Sequence, residues 1–137
     1  LMIVVAIIAI LASIAIPSYT DYIKRGKMAE GPSAIGAMRV KMEQFFQDNR
    51  SYNPKAIAAP ACPIAVQAPK HFTITCPTLT ATTYVLRASG IDDLAGLQYE
   101  VTERNARSTT VVASSAMEQA GYTGNASCWV TRKGGTC

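Results

Sequence analysis

Before Asp21 the sequence holds no charged residue, and across 1–16 the only polar side chain is that of Ser13. That absence excludes an ordinary water-facing helix for the run "LMIVVAIIAILASIAI". It also argues against a secretory signal, which needs a basic start, a shorter apolar core and a small-residue cleavage site. "LASIA" supplies small residues, but the basic start is missing. A buried core helix fits poorly too, because the rest of the chain has too little apolar surface to wrap such a rod on all sides. As one helix, 1–20 would reach about 30 Å, the thickness of a bilayer's hydrocarbon core, about 30 Å. The reading is a membrane-competent helix.

Histidine and tryptophan are equally scarce, with one of each, His71 and Trp129. There is no C-x-x-C pair, so a zinc site finds no support in the spacing. His71 has no evident Ser or Cys nucleophile partner. "GKMAEG" at 26–31 resembles a phosphate loop only superficially, since Pro32-Ser33 follows where Lys-Ser is needed. The expectation is a protein that is no enzyme, with no metal and no cofactor. The Asn49-Arg50-Ser51 and Asn125-Ala126-Ser127 sequons are read as chance matches.

A chain of 137 residues suits a single domain. Its hydrophobic fraction of 49% averages two regimes, a lipid-compatible stem and a head rich in Thr, Ser, Ala and Pro. The net charge of +4 fits a mild attraction to acidic partners such as membrane surfaces or nucleic acid.

Pro17 interrupts the apolar run. Proline in a helix removes one backbone hydrogen bond and crowds the preceding turn, at about 3 kcal/mol. Either it marks the exit from the bilayer or it marks a place that must bend. Beyond it, Ile35, Met38, Met42 and Phe45 recur at helical spacing, flanked by Ala34 and Phe46, with Arg39, Lys41, Glu43 and Asp48 mostly opposite. This predicts an amphipathic helix with one buried face. At Gly31-Pro32 the rod either kinks or starts a new helix, with proline in its first turn.

The run "LMIVVAIIAILASIAIPSYTDYIKRGKMAEG" closely resembles the N-terminal helix of type IV pilins of Gram-negative bacteria. Pro17, Tyr19 and Tyr22 stand where pilins carry a kinking proline and two tyrosines; Ala9 stands where many have glycine. Pilins carry a Phe-Thr-Leu-Ile-Glu-type run directly before the Leu-Met that opens the given residues. The methylated N-terminal residue and the acidic registration residue of that run therefore correspond to no residue here. The resemblance implies an α+β fold, a long N-terminal helix packed on an antiparallel sheet. It implies a structural subunit that polymerises through its stem into a helical homo-oligomeric filament serving adhesion, twitching motility or DNA uptake. Before assembly the stem would lie in the inner membrane; afterwards, with the pilus assembly machinery as partner, it would lie in the core of an extracellular pilus. Ile7, Ala9, Ile16 and Pro17 would belong to that core and its kink, with 9–17 the stretch that loses helix on assembly. Alanine at position 9 resists such melting more than glycine would. Lys24, Arg25 and Lys27 directly after the stem read as interfacial anchors, or as partners of carboxylates or lipid phosphates.

The expected organisation is 1–21 membrane or filament-core helix, 22–50 amphipathic continuation, 51–82 proline-rich loop, and 83–137 antiparallel sheet with a C-terminal disulfide loop. Pro54, Pro60, Pro63, Pro69 and Pro77 argue against long regular structure in the third part, although 71–76 alternates like a short strand. Further strands are expected at 83–89, 97–103, 109–114 and 127–133, with a turn at 90–96. Four cysteines allow three pairings. Cys62 with Cys76 and Cys128 with Cys137 is preferred, since each closes one short loop; a C-terminal disulfide loop also resembles pilins. An alternative function is a minor pilin whose head binds DNA or a surface ligand. Trp129, Arg132 and Lys133, within the C-terminal loop, are its candidate residues, since cations hold phosphates and an aromatic ring stacks a base.

Overall fold

The structure, a computed structural model, describes residues 1–67 and 69–137. Helix α1 (Met2–Met28) and helix α2 (Glu30–Asn49) are separated only by Ala29. Ala29 keeps right-handed helical angles, φ −63° and ψ −21°, so the two form one rod of 48 residues. The interruption has a local cause. Pro32 has no N–H to give to the carbonyl of Met28, four residues earlier, and it sits in the first turn of α2, where that loss is tolerated. At Gly31-Pro32 the structure has the proline in the first turn of α2, within a rod that stays continuous.

α2 buries Gly31, Ile35, Met38 and Met42. The expected fourth member of this stripe, Phe45, is replaced by Phe46, which packs against the core. Phe46 follows Met42 by four residues, so it stays closer to the 3.6-residue stripe. Gly31 is required by a close approach. A Cβ there would lie 2.8 Å from Tyr99 and 2.9 Å from Phe72, so the absent side chain lets the helix settle on two aromatic rings.

The sheet is an antiparallel meander in the order β1 (Phe72–Leu79), β2 (Tyr84–Gly90), β3 (Leu97–Thr102), β4 (Arg107–Val111). Alternation decides its buried face. Phe72, Ile74 and Cys76 of β1, Tyr84, Leu86 and Ala88 of β2, and Leu97, Tyr99 and Val101 of β3 form the core with the α2 stripe. This is the α+β architecture implied by the resemblance.

Two local expectations need correction. The stretch 51–82 is not all loop, because β1 runs through Pro77. It can do so as the edge strand, with its pairing to β2 shifting between Thr75 and Thr78; proline is admitted at edges and irregularities. The segment 127–133 is no strand. Just before it Asn125 makes an isolated bridge with Thr109, and within it Arg132 makes one with Thr136, because Gly134 and Gly135, at φ +73° and +72°, fold the tail back on itself. The turn at 90–96 contains a 3-10 turn, Asp92–Leu94, whose Leu94 is buried. A short helix α3 (Ala116–Gln119), unanticipated, is capped by Ser115, whose hydroxyl accepts from the Glu118 amide, and it buries Met117.

Candidate functional site: the stem and its collar

Among the described residues, none covers the stem. Within α1 only Met28 is buried. Ile7 is 52% exposed and Ile16 64%, and Ala9 is exposed as well. Its apolar run is unburied, and by length and composition this helix can cross a membrane. α1 runs unbroken through Ala9 and Pro17 in the single chain. Its polar groups turn inward: Ser13 Oγ donates to the Ile10 carbonyl at 2.7 Å and Thr20 Oγ1 to the Pro17 carbonyl at 2.9 Å. Pro17 leaves the Ser13 carbonyl without its usual amide, and in an apolar medium such a group seeks another partner.

Where the stem meets the head, two ion pairs form a collar. Lys133 Nζ donates to Asp21 at 2.7 Å, and Lys27 Nζ to Asp93 at 2.8 Å. The hydrogen bond from Lys27 holds the Asp93 carboxyl below the usual carboxylate range, against the opposing effect of its partial burial. Between α1 and the C-terminal tail lies a groove lined by Tyr22, Ile23, Arg25, Gly26 and Met28 of the rod and by Thr131 and Arg132 of the tail. Of the three basic residues singled out after the stem, Lys27 is thus committed to a carboxylate, while Arg25 faces the groove.

The three candidate surface residues of the tail do not converge. Lys133 reaches the stem, and Arg132 lines the groove. Trp129 lies over the β3–β4 end of the sheet, where its Nε1 donates to the Glu100 carbonyl at 2.8 Å. Arg107 stacks on its ring, 4.6 Å from the centroid. Arg107 had no signal in the sequence, because its nearness to Trp129 depends on the tail folding across β4. The side chain of Glu100 pairs with Arg87 at 2.6 Å. Disulfides join Cys62 to Cys76 and Cys128 to Cys137. The first ties the loop to β1; the second closes the tail that carries Trp129, Arg132 and Lys133.

Beneath the surface, Glu43 of α2 accepts from Tyr52 at 2.9 Å and from Tyr84 at 3.0 Å. Burial, then the hydrogen bond to this carboxylate, pushes the Tyr52 phenol up to about 12 and raises that of Tyr84 further. Burial likewise raises Tyr99, whose hydroxyl donates to the Val130 carbonyl at 2.7 Å and pins the tail to the core. Among the described residues there is no group of three or more His, Cys, Asp or Glu side chains that would hold a metal ion.

Comparison with known proteins bears on both halves. A Type IV major fimbrial protein FimA of Dichelobacter nodosus is 49% identical over 59 residues, which are 43% of this chain and 37% of that protein. A fimbrial protein of the same organism is 50% identical over 56 residues, 41% of this chain and 35% of its own length. The match thus spans little more than a third of these relatives. The crystal structure of the non-core minor pilin PilV of Neisseria meningitidis superposes with a TM-score of 0.57 at 12% identity, over 70% of this chain and 95% of that one. At such identity the likeness establishes the fold. A family model described as "Type IV minor pilin ComP, DNA uptake sequence receptor" matches residues 17–98. That match runs from the stem proline through α2, β1 and β2 into β3, more than half of the chain, and the protein belongs to this family of type IV pilins.

Proposed function

We propose that this protein is a type IV pilus subunit, held in the inner membrane by its stem and then transferred into an extracellular filament beside other stems. The observation that carries this reading is the stem itself, a charge-free helix wholly exposed beside a head that keeps its own core. Each large apolar side chain left in water forgoes about 1.5–3 kcal/mol of burial, so the stem needs apolar surroundings at every stage. Bilayer and filament core both supply them. The partners are other pilin copies and the assembly machinery. The chemistry is packing, with no catalytic step.

The test is incorporation. The full chain should appear in the sheared pilus fraction of cells that express it. Ile7→Asp, which puts a charge into the stem, should remove it from that fraction while the head keeps its thermal transition. Normal incorporation of the Ile7→Asp variant would contradict the reading.

A second reading is that this subunit is a minor pilin whose head contacts DNA. It is favoured by the DNA-uptake description of the family model and by the stack of Arg107 on Trp129. An exposed guanidinium on an aromatic ring suits a phosphate beside a stacked base. Arg107→Ala in the full chain should weaken duplex binding and reduce the magnitude of its salt slope by about one. Trp129→Ala is less informative, because it also removes the bond to Glu100. Unchanged affinity and slope in Arg107→Ala would eliminate this contact.

A further inference from the structure

We infer that the groove between α1 and the C-terminal tail seats the headgroup of an anionic phospholipid while the stem spans the membrane. The inference rests on the membrane-anchored reading above and adds a specific site to it. Three observations carry it. The first is position. Arg25 lies five residues beyond Thr20, about 8 Å past the end of the span at about 1.5 Å per residue. A headgroup layer occupies about 5–8 Å on each side of the hydrocarbon, so the groove opens at headgroup depth. The second is charge. The two carboxylates of the collar, Asp21 and Asp93, are each held by a lysine. Arg25 and Arg132 make no side-chain hydrogen bond or ion pair among the described residues, although both line the groove. Two guanidiniums beside the apolar Ile23 and Met28 match a phosphodiester above the start of an acyl chain. The third is space. Gly26 lines the groove, and a Cβ added there would meet nothing within 4 Å, so there is room at that point.

These features divide the basic residues at the collar by role. Lys27 and Lys133 fix the head to the rod. Arg25, from the rod, and Arg132, from the disulfide-closed tail, reach the lipid together. Lys24 adds general surface charge without lining the groove.

The experiment uses the full chain reconstituted in bilayers of phosphatidylcholine with phosphatidylglycerol at equal amounts. Spin-labelled lipids report which headgroup is enriched around the protein. The wild type should prefer phosphatidylglycerol, with about fivefold lost for each arginine removed in Arg25→Gln and Arg132→Gln. Gly26→Leu, which keeps every charge but puts a side chain into the groove, should lose most of the preference too. Lys24→Gln should keep most of it. A preference unchanged in Arg132→Gln and Gly26→Leu would overturn the site and leave only diffuse attraction to basic residues at the stem end. If those variants alter self-association and leave lipid preference intact, a second copy occupies the groove and the proposal falls. Flotation and protease protection of the same samples separate the two readings. A stem that fails to insert refutes the anchor itself, whereas an inserted stem without lipid preference refutes only the groove.

Discussion

The stem and the head use the same kinds of residue in opposite ways. Isoleucine is exposed at positions 3, 7, 8, 10, 14 and 16 of the stem, while Ile35 is fully buried and Ile74 nearly so in the head. Hydrophobicity therefore does not distinguish the two regions; the presence of a covering layer does. The head covers its apolar stripe with a sheet from the same chain. The stem leaves the covering to something else, and evenly so, since its apolar residues surround the helix. An amphipathic helix buries one face in its own protein, and a helix apolar all round is built for a medium.

That contrast is broken most forcefully by paired truncations. Leu86→Ala, at a fully buried site on β2, should destabilise the head by about 2–5 kcal/mol. Ile10→Ala, 62% exposed on the stem, should leave the head's unfolding free energy unchanged. Chemical denaturation of both variants in micelles checks this, and equal losses would erase the distinction.

Alkaline pH sharpens it next. A phenol whose pKa is raised in the folded state binds its proton more tightly there, so its stabilisation is complete below the unfolded value of about 10 and is lost above it. For Tyr52, pushed up to about 12, the loss between about pH 10 and 12 is on the order of 2–3 kcal/mol. Tyr84 and Tyr99, raised further by burial, extend the same trend upward. Unfolding followed by tyrosinate absorbance should therefore steepen above pH 10. Stem Tyr19 and neighbouring Tyr22, both exposed, have no core to lose. A head equally stable at pH 9 and 11.5 would contradict this account of the tyrosines.

Gly31→Ala tests the seam between rod and sheet. The added methyl meets two aromatic rings at under 3 Å, so a loss of about 1–3 kcal/mol is expected. Gly36→Ala, with open space around it, should be neutral or slightly stabilising because alanine favours helix. A thermal melt of each variant separates them; equal shifts would mean the seam is loose. The smallest effect belongs to the collar. Lys27→Ala breaks a partly exposed ion pair, worth about 0.2–1 kcal/mol; Lys133→Ala, whose partner Asp21 is open to solvent, should cost less still. Losses much larger than that would mean that the collar holds the head together rather than orienting it.

Much of this was legible in the sequence. The stem stood out because absent charge over the first twenty residues is a strong signal, and the inner faces of β2 and β3 because alternation is read directly from Tyr84, Leu86, Ala88 and Leu97, Tyr99, Val101. What escaped depends on relations between distant residues. Pro77 reads locally as a strand breaker, and only its place on an edge strand makes it tolerable. The alternation of 127–133 resembles a strand, yet the closing disulfide and two left-handed glycines bend it away from the sheet. Trp129, Arg132 and Lys133 look like one patch in sequence. In space they point to the sheet, the groove and the stem, because a short covalent loop spreads neighbouring side chains in different directions. Arg107 and Asp21 became relevant only through contacts across the fold.

The central claim is that the head is complete without the stem. It is tested most directly by the unfolding midpoint of residues 21–137, which retain Asp21 and its pair with Lys133, beside that of the full chain in micelles. The account predicts the same midpoint and the same denaturant slope for the head transition. A midpoint lowered by several kcal/mol worth of denaturant would show that the stem supports the head, and would contradict the division of labour between them.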